Sequence, residues 1–129
     1  VEVLERRRRE LEKRLKLAKR FANSVSDALR PVTIVVIGST ARGDFNAWSD
    51  IDVVIISDNF PTNPLERYEI LEKHVEPGIE PIPLRPEDVK RLVEKNSPVV
   101  VDIARGIVLR DDLRILETLR TDVSNEGAS

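Results

Sequence analysis

Val32-Thr33-Ile34-Val35-Val36-Ile37 runs straight into Gly38-Ser39-Thr40-Ala41-Arg42-Gly43. After Asp44-Phe45-Asn46-Ala47-Trp48-Ser49 comes Asp50-Ile51-Asp52-Val53-Val54-Ile55-Ile56. The two β-branched runs predict two buried strands. Asp50 and Asp52 lie two apart, on or just before the second strand, and the period of two puts both on one face. Two carboxylates on one face repel each other unless a cation sits between them. The residues that follow are apolar, so this pair is not there for solubility. Hard oxygen ligands at this spacing suit Mg²⁺, which keeps waters and phosphates in its other positions. Gly38 lets the chain turn sharply and approach a ligand closely. Ser39 offers a hydroxyl and an N–H at the start of a short helix, and helix N-termini bind phosphate. Arg42, one turn on, supplies a cation for phosphate. A phosphate cradle on one strand end beside a metal clamp on the next suits a metal–nucleotide complex.

Outward from this segment, Leu4, Leu11, Leu15, Ala18, Ala22, Val25 and Leu29 recur at a spacing of three to four. They predict one amphipathic helix over residues 1–30, stopped by Pro31. Downstream, Pro64 to Val75 reads as a helix. Gly78 to Leu84 alternates as a strand, and its Pro81 and Pro83 place it at a sheet edge. A helix opens at Arg85-Pro86-Glu87-Asp88 and runs to about Asn96. Pro98 to Ala104 fits either a strand or a short helix. Ile107 to Leu109 reads as a short strand, and a last helix is expected from Asp111 to about Arg120. The chain thus divides into an N-terminal charged helix (1–30), packed on or extending from a domain (31–121), and a frayed tail (122–129).

With 129 residues, 40% of them hydrophobic, the chain can bury a core as one domain. It contains no cysteine, which excludes a disulfide scaffold and a thiolate metal site. The net charge of −2 hides an asymmetry, because residues 1–30 carry ten Lys/Arg against five Asp/Glu. This arm reads as a solvated helix face or as a docking surface for a partner. Direct nucleic-acid binding is disfavoured by a pI near 5.5 and by the lack of interleaved aromatics. No stretch approaches the ~18 apolar residues of a membrane span, and the start is too charged for a signal peptide, so a cytoplasmic location is expected. His74, the one histidine, has no partner motif. Trp48 either packs the loop or stacks on a base. Arg42-Gly43-Asp44 spells an adhesion tripeptide by coincidence.

Gly38-Ser39, ten residues, then Asp50-Ile51-Asp52 resembles the signature of the DNA polymerase beta-like nucleotidyltransferase superfamily. The longer pattern Gly-Ser-x-Ala-Arg-Gly followed by Ser-Asp-x-Asp also matches, through Ala41, Arg42, Gly43 and Ser49. The chain looks most like the small stand-alone members, the minimal nucleotidyltransferases, over about residues 25–115. The resemblance implies an α/β fold, a small mixed sheet covered on one side by helices with the carboxylates on the open face. It also implies a third carboxylate on a later strand, for which Glu80 is the best match. Glu76 lies before a turn, and Asp102 sits in the ambiguous segment.

By the same resemblance, Asp50, Asp52 and Glu80 are catalytic and hold two Mg²⁺ ions. Gly38, Ser39 and Arg42 bind the nucleotide. ATP is the substrate, and its AMP passes to a hydroxyl acceptor with release of pyrophosphate. Small members resemble the antitoxin halves of toxin–antitoxin pairs, which implies a helical HEPN-type ribonuclease as partner and one of its tyrosines as acceptor. Association with another copy of the chain is the other expectation. A module that binds nucleotide or partner with little catalysis remains the alternative.

Overall fold

The computed structural model describes residues 1–128. Helix α1 spans Glu2–Leu29, and strand β1 (Val32–Ile37) follows a cis Arg30–Pro31 peptide. The five-residue helix α2 (Gly38–Arg42) leads through a loop to β2 (Ile51–Ser57). Then come α3 (Pro64–Leu71), β3 (Ile79–Leu84), α4 (Pro86–Glu94), α5 (Pro98–Ala104), β4 (Ile107–Asp111) and α6 (Leu116–Ala128). The sheet order is β3-β2-β1-β4. β1 is antiparallel to both β2 and β4, while β2 and β3 run parallel, so the sheet is mixed as expected. β3 lies at an edge, where the missing N–H groups of Pro81 and Pro83 cost no ladder bond.

Helices cover both faces of this sheet, which corrects the one-sided cover expected from the sequence. Val32, Ile34 and Val36 join Val53, Ile55 and Ile79 in a core under α1 and α3, through Phe21, Val25 and Leu71. The alternate residues Val35, Ile37, Val54 and Ile56 pack under α4, α5 and α6, through Val89, Ile103 and Leu116. The reason is visible in β1 and β2. A strand apolar at every position has two faces to bury, whereas one-sided cover goes with alternation.

One segment left open is settled, and two boundaries differ from expectation. Pro98–Ala104 resolves as helix, with Pro98 in its first turn, where a missing N–H is harmless. Asp111 ends β4 instead of opening a helix: its carboxylate accepts a hydrogen bond from the buried Thr33 hydroxyl at 2.8 Å. α6 continues through the segment expected to fray, as far as Ala128, and Ser129 lies outside the described residues.

Helix α1 outruns the sheet. Twenty-eight residues span about 42 Å at 1.5 Å per residue, against roughly 20 Å for a six-residue strand. Its buried residues accordingly run only from Ala18 to Leu29. Leu4, expected on the apolar stripe, is 73% exposed. No helix among the described residues is long and apolar enough to cross a membrane.

Candidate active site

The site forms where β1 ends beside the start of β2. Ile37 and Asp52 are cross-strand partners, so the turn after Ile37 is delivered against Asp52. Gly38 takes φ of +71°, a left-handed conformation that L side chains rarely adopt. A Cβ on Gly38 would come within 2.5 Å of Asp52 Oδ2. Glycine is therefore required twice here, by the turn and by the approach of the carboxylate. α2 ends at Gly43, again left-handed at φ +85°, whose N–H returns to the Ser39 carbonyl at 2.9 Å.

Asp50 is exposed and Asp52 half-buried. Burial raises the Asp52 carboxyl above its ordinary value, the Asp50 charge raises it further, and Arg42 partly opposes both. The Asp50 charge thus acts against ionisation of Asp52, as two nearby carboxylates would. Arg42 also pairs with Asp44 at 3.2 Å, both largely solvated. Arg42 thus acts on the Asp52 carboxyl while also forming a surface ion pair with Asp44. Ser39 lies in the first turn of α2, half-buried.

In β3, Glu80 stands opposite Asp52 in the parallel register and is exposed. Parity puts it on the same sheet face, the one that carries Val54 and Ile82 toward the second core. Glu76 is instead engaged by Arg20 at 3.1 Å. Asp102 lies on α5. Among the described residues no three His, Cys, Asp or Glu side chains stand close enough together to hold a metal ion. Asp50, Asp52 and Glu80 thus share a face without converging. The donor set still fits Mg²⁺: all are hard carboxylate oxygens, and the Asp50–Asp52 repulsion is one that a cation would relieve.

A family model for the nucleotidyltransferase domain matches residues 18–105. The chain belongs to that family. The matched residues run from Ala18 in α1 to Arg105, just ahead of β4. The chain is 28% identical over 82 residues to "Putative protein adenylyltransferase MJ1305" of Methanocaldococcus jannaschii; the match spans 58% of this chain and 54% of that one. A crystal structure described as a putative nucleotidyltransferase from Sulfolobus solfataricus superposes with a TM-score of 0.62. It covers 79% of this chain and 84% of its own, at 20% identity, and so shares the fold.

Sequence reasoning missed two arginines. Arg7 and Arg14, on the part of α1 read as a solvated face, both reach the loop between α2 and Asp50. Their spacing of seven, two helical turns, was the available signal. Trp48, in the same loop, is 92% exposed, so it does not pack the loop. His74 lies elsewhere, bonded through Nδ1 to the Ser24 hydroxyl. Burial and the nearby Lys73 lower its pKa.

Proposed function

We propose that this nucleotidyltransferase domain transfers AMP from ATP to a hydroxyl group and releases pyrophosphate. The observation that carries the reading is the Asp50–Asp52 pair, electrostatically coupled and pressed against the left-handed Gly38 turn. The name of the archaeal relative, a protein adenylyltransferase, supports adenylate as the group moved and a protein as the acceptor.

The Gly38-Ser39 turn would bind the triphosphate through its backbone and the Ser39 hydroxyl, with Arg42 adding positive charge. Asp50 and Asp52 would hold Mg²⁺, joined by Glu80. When bound, Mg²⁺ neutralises triphosphate charge and lowers the pKa of the acceptor hydroxyl. The acceptor oxygen would attack the α-phosphorus in line, its proton passing to solvent. One P–O bond forms, the bond to the β-phosphate bridge breaks, and pyrophosphate departs with that electron pair. The Asp52 carboxyl, raised by burial and by Asp50, is the group whose charge a cation would most favour.

The acceptor proposed is a tyrosine hydroxyl on a helical HEPN-type partner protein, because a protein acceptor is what the relative's name points to. The test is transfer of label from α-labelled ATP with Mg²⁺ and that partner. Wild type should label the partner, and the Asp50→Asn/Asp52→Asn double variant should not. Equal labelling by the double variant would overturn the assignment.

A further inference from the structure

α1 overhangs the sheet at its N-terminal end, yet two of its side chains there reach across to the loop after α2. Arg7 donates from Nη1 to the Phe45 carbonyl at 2.6 Å and from Nη2 to the Gly43 carbonyl. Arg14 donates from Nη1 to the Ser49 carbonyl at 2.9 Å and to the Thr40 hydroxyl at 3.3 Å, and from Nη2 to the Asn46 carbonyl at 2.7 Å. Both guanidinium groups lie over the Phe45 ring, 4.2 and 4.4 Å from its centroid, and Phe45 is buried. Four carbonyls of the loop between α2 and Asp50, and its buried aromatic Phe45, are thus gripped from a single helix face. Inside the loop, Ser49 N–H reaches the Asn46 carbonyl, and the Asn46 side chain accepts from Trp48 N–H. These local bonds shape the turn. Asp44 N–H also reaches back to the Ser39 carbonyl of α2, and the arginines tie the remainder of the loop to α1.

We infer that Arg7 and Arg14 are positioning residues for Asp50. The inference rests on the reading of Asp50 and Asp52 proposed above. Asp50 directly follows the Ser49 carbonyl that Arg14 holds, and the Asp52 charge beside it repels its carboxylate. Without an anchor, that repulsion moves the exposed Asp50 away from the half-buried Asp52. Charge-assisted, two-pronged arginine bonds are the strong kind of hydrogen bond, and cation–π contact adds to them. Both arginines precede residue 18, where the family match begins. The clamp therefore lies outside the matched segment and acts on a loop inside it.

The first test needs neither ATP nor metal. Amide hydrogen exchange is followed in wild type, Arg7→Ala/Arg14→Ala, Arg14→Lys, and Arg8→Ala as a control on the exposed surface of α1. Exchange across residues 43–50 should quicken at least about 10-fold in the double variant, with β1 and β2 unchanged, and by less in Arg14→Lys, which keeps the charge but loses the fork. The second test is adenylate transfer. The double variant should lose about 10- to 100-fold in kcat, the scale of a misplacement near 1 Å. Raising Mg²⁺ should recover part of that loss, as no amount should for Asp50→Asn. Unchanged exchange across 43–50, or transfer at the wild-type rate, overturns the inference. Should the double variant not fold, Arg14→Lys decides by the same two readings. If the Asp50→Asn/Asp52→Asn variant transfers normally, the functional reading falls, and exchange still judges the clamp.

Discussion

Asp52 and Asp88 are both partly buried aspartates, and their surroundings push them in opposite directions. For Asp88 burial alone would raise the pKa, but donors outweigh it and hold the carboxyl below its ordinary value. The Arg85 N–H reaches it at 2.8 Å, Arg67 at 2.6 Å, and Arg91 also pairs with it. Arg67 is itself buried, with a side chain 5% exposed, and donates also to the carbonyls of Pro61, Thr62 and Pro83. Asp52 has burial and a neighbouring carboxylate, which the Arg42 charge only partly offsets. One carboxylate finishes a network that ties α4 to α3 and the end of β3. The other is left with repulsion that folding does not relieve. Uncompensated charge of this kind is enriched at functional sites.

Substitution should split the pair most widely. Asp52→Asn should cut adenylate transfer at least about 10³-fold, the scale of losing a group that acts on the transition state. Its unfolding midpoint should stay at or above that of wild type, because a disfavoured charge is removed. Asp88→Ala should do the reverse. It should lose about 2–4 kcal/mol of stability in denaturant titration, below the full cost of an orphaned buried charge because Arg67 keeps its carbonyls. Its transfer rate per folded molecule should not change. An Asp52→Asn protein that unfolds as readily as Asp88→Ala would erase the contrast.

Gly38→Ala probes the same division at the backbone. The left-handed conformation should cost about 1–2 kcal/mol, read from thermal or urea unfolding. The new Cβ, 2.5 Å from Asp52 Oδ2, should displace that carboxylate and lower transfer by more than the stability loss explains. Transfer that falls only in step with the folded fraction would mean that the contact with Asp52 has no functional weight.

The smallest effect lies in pH dependence, where the two aspartates carry opposite signs. Stability from Asp88 is present above 3.8, the ordinary aspartate value, and is lost as pH falls through its depressed native pKa. For Asp52 the native pKa is raised. As pH climbs past 3.8 the unfolded chain ionises first, and stability declines until the native carboxyl has also ionised. Unfolding free energies measured from about pH 2 to pH 6 should lose the decline in Asp52→Asn and lose the acid-side drop in Asp88→Asn. Identical profiles in both variants would contradict the assigned directions.

Much of this arrangement was legible before any coordinates. β1 and β2 announced themselves as β-branched runs, and β3 as a proline-bearing edge. Gly38 and the carboxylate pair stood out because glycine and paired acids have few other reasons to flank buried strands. Other features were not legible, each for a physical reason. The last helix was expected at Asp111, but that carboxylate is used by Thr33, on a strand 78 residues away in sequence. The double cover of the sheet was implicit in the unbroken apolar runs, yet short helices such as α5 carry too few turns to show a clear period. The basic arm looked like solvent-facing charge because a guanidinium that holds backbone carbonyls has no charged partner to reveal it.

The sequence by itself determined the strands, the turn at Gly38, the spacing of Asp50 and Asp52, and with them the nucleotidyltransferase family. Those are local matters: side-chain branching, glycine's freedom at positive φ, and the alternation of a strand. Only the tertiary structure decided that Glu80 stands in register with Asp52, that Asp52 feels burial and Asp50 together, and that Arg7 and Arg14 hold the loop before Asp50. Each of these depends on groups far apart along the chain. Their contact energies arise only after the sheet has closed and α1 has crossed it.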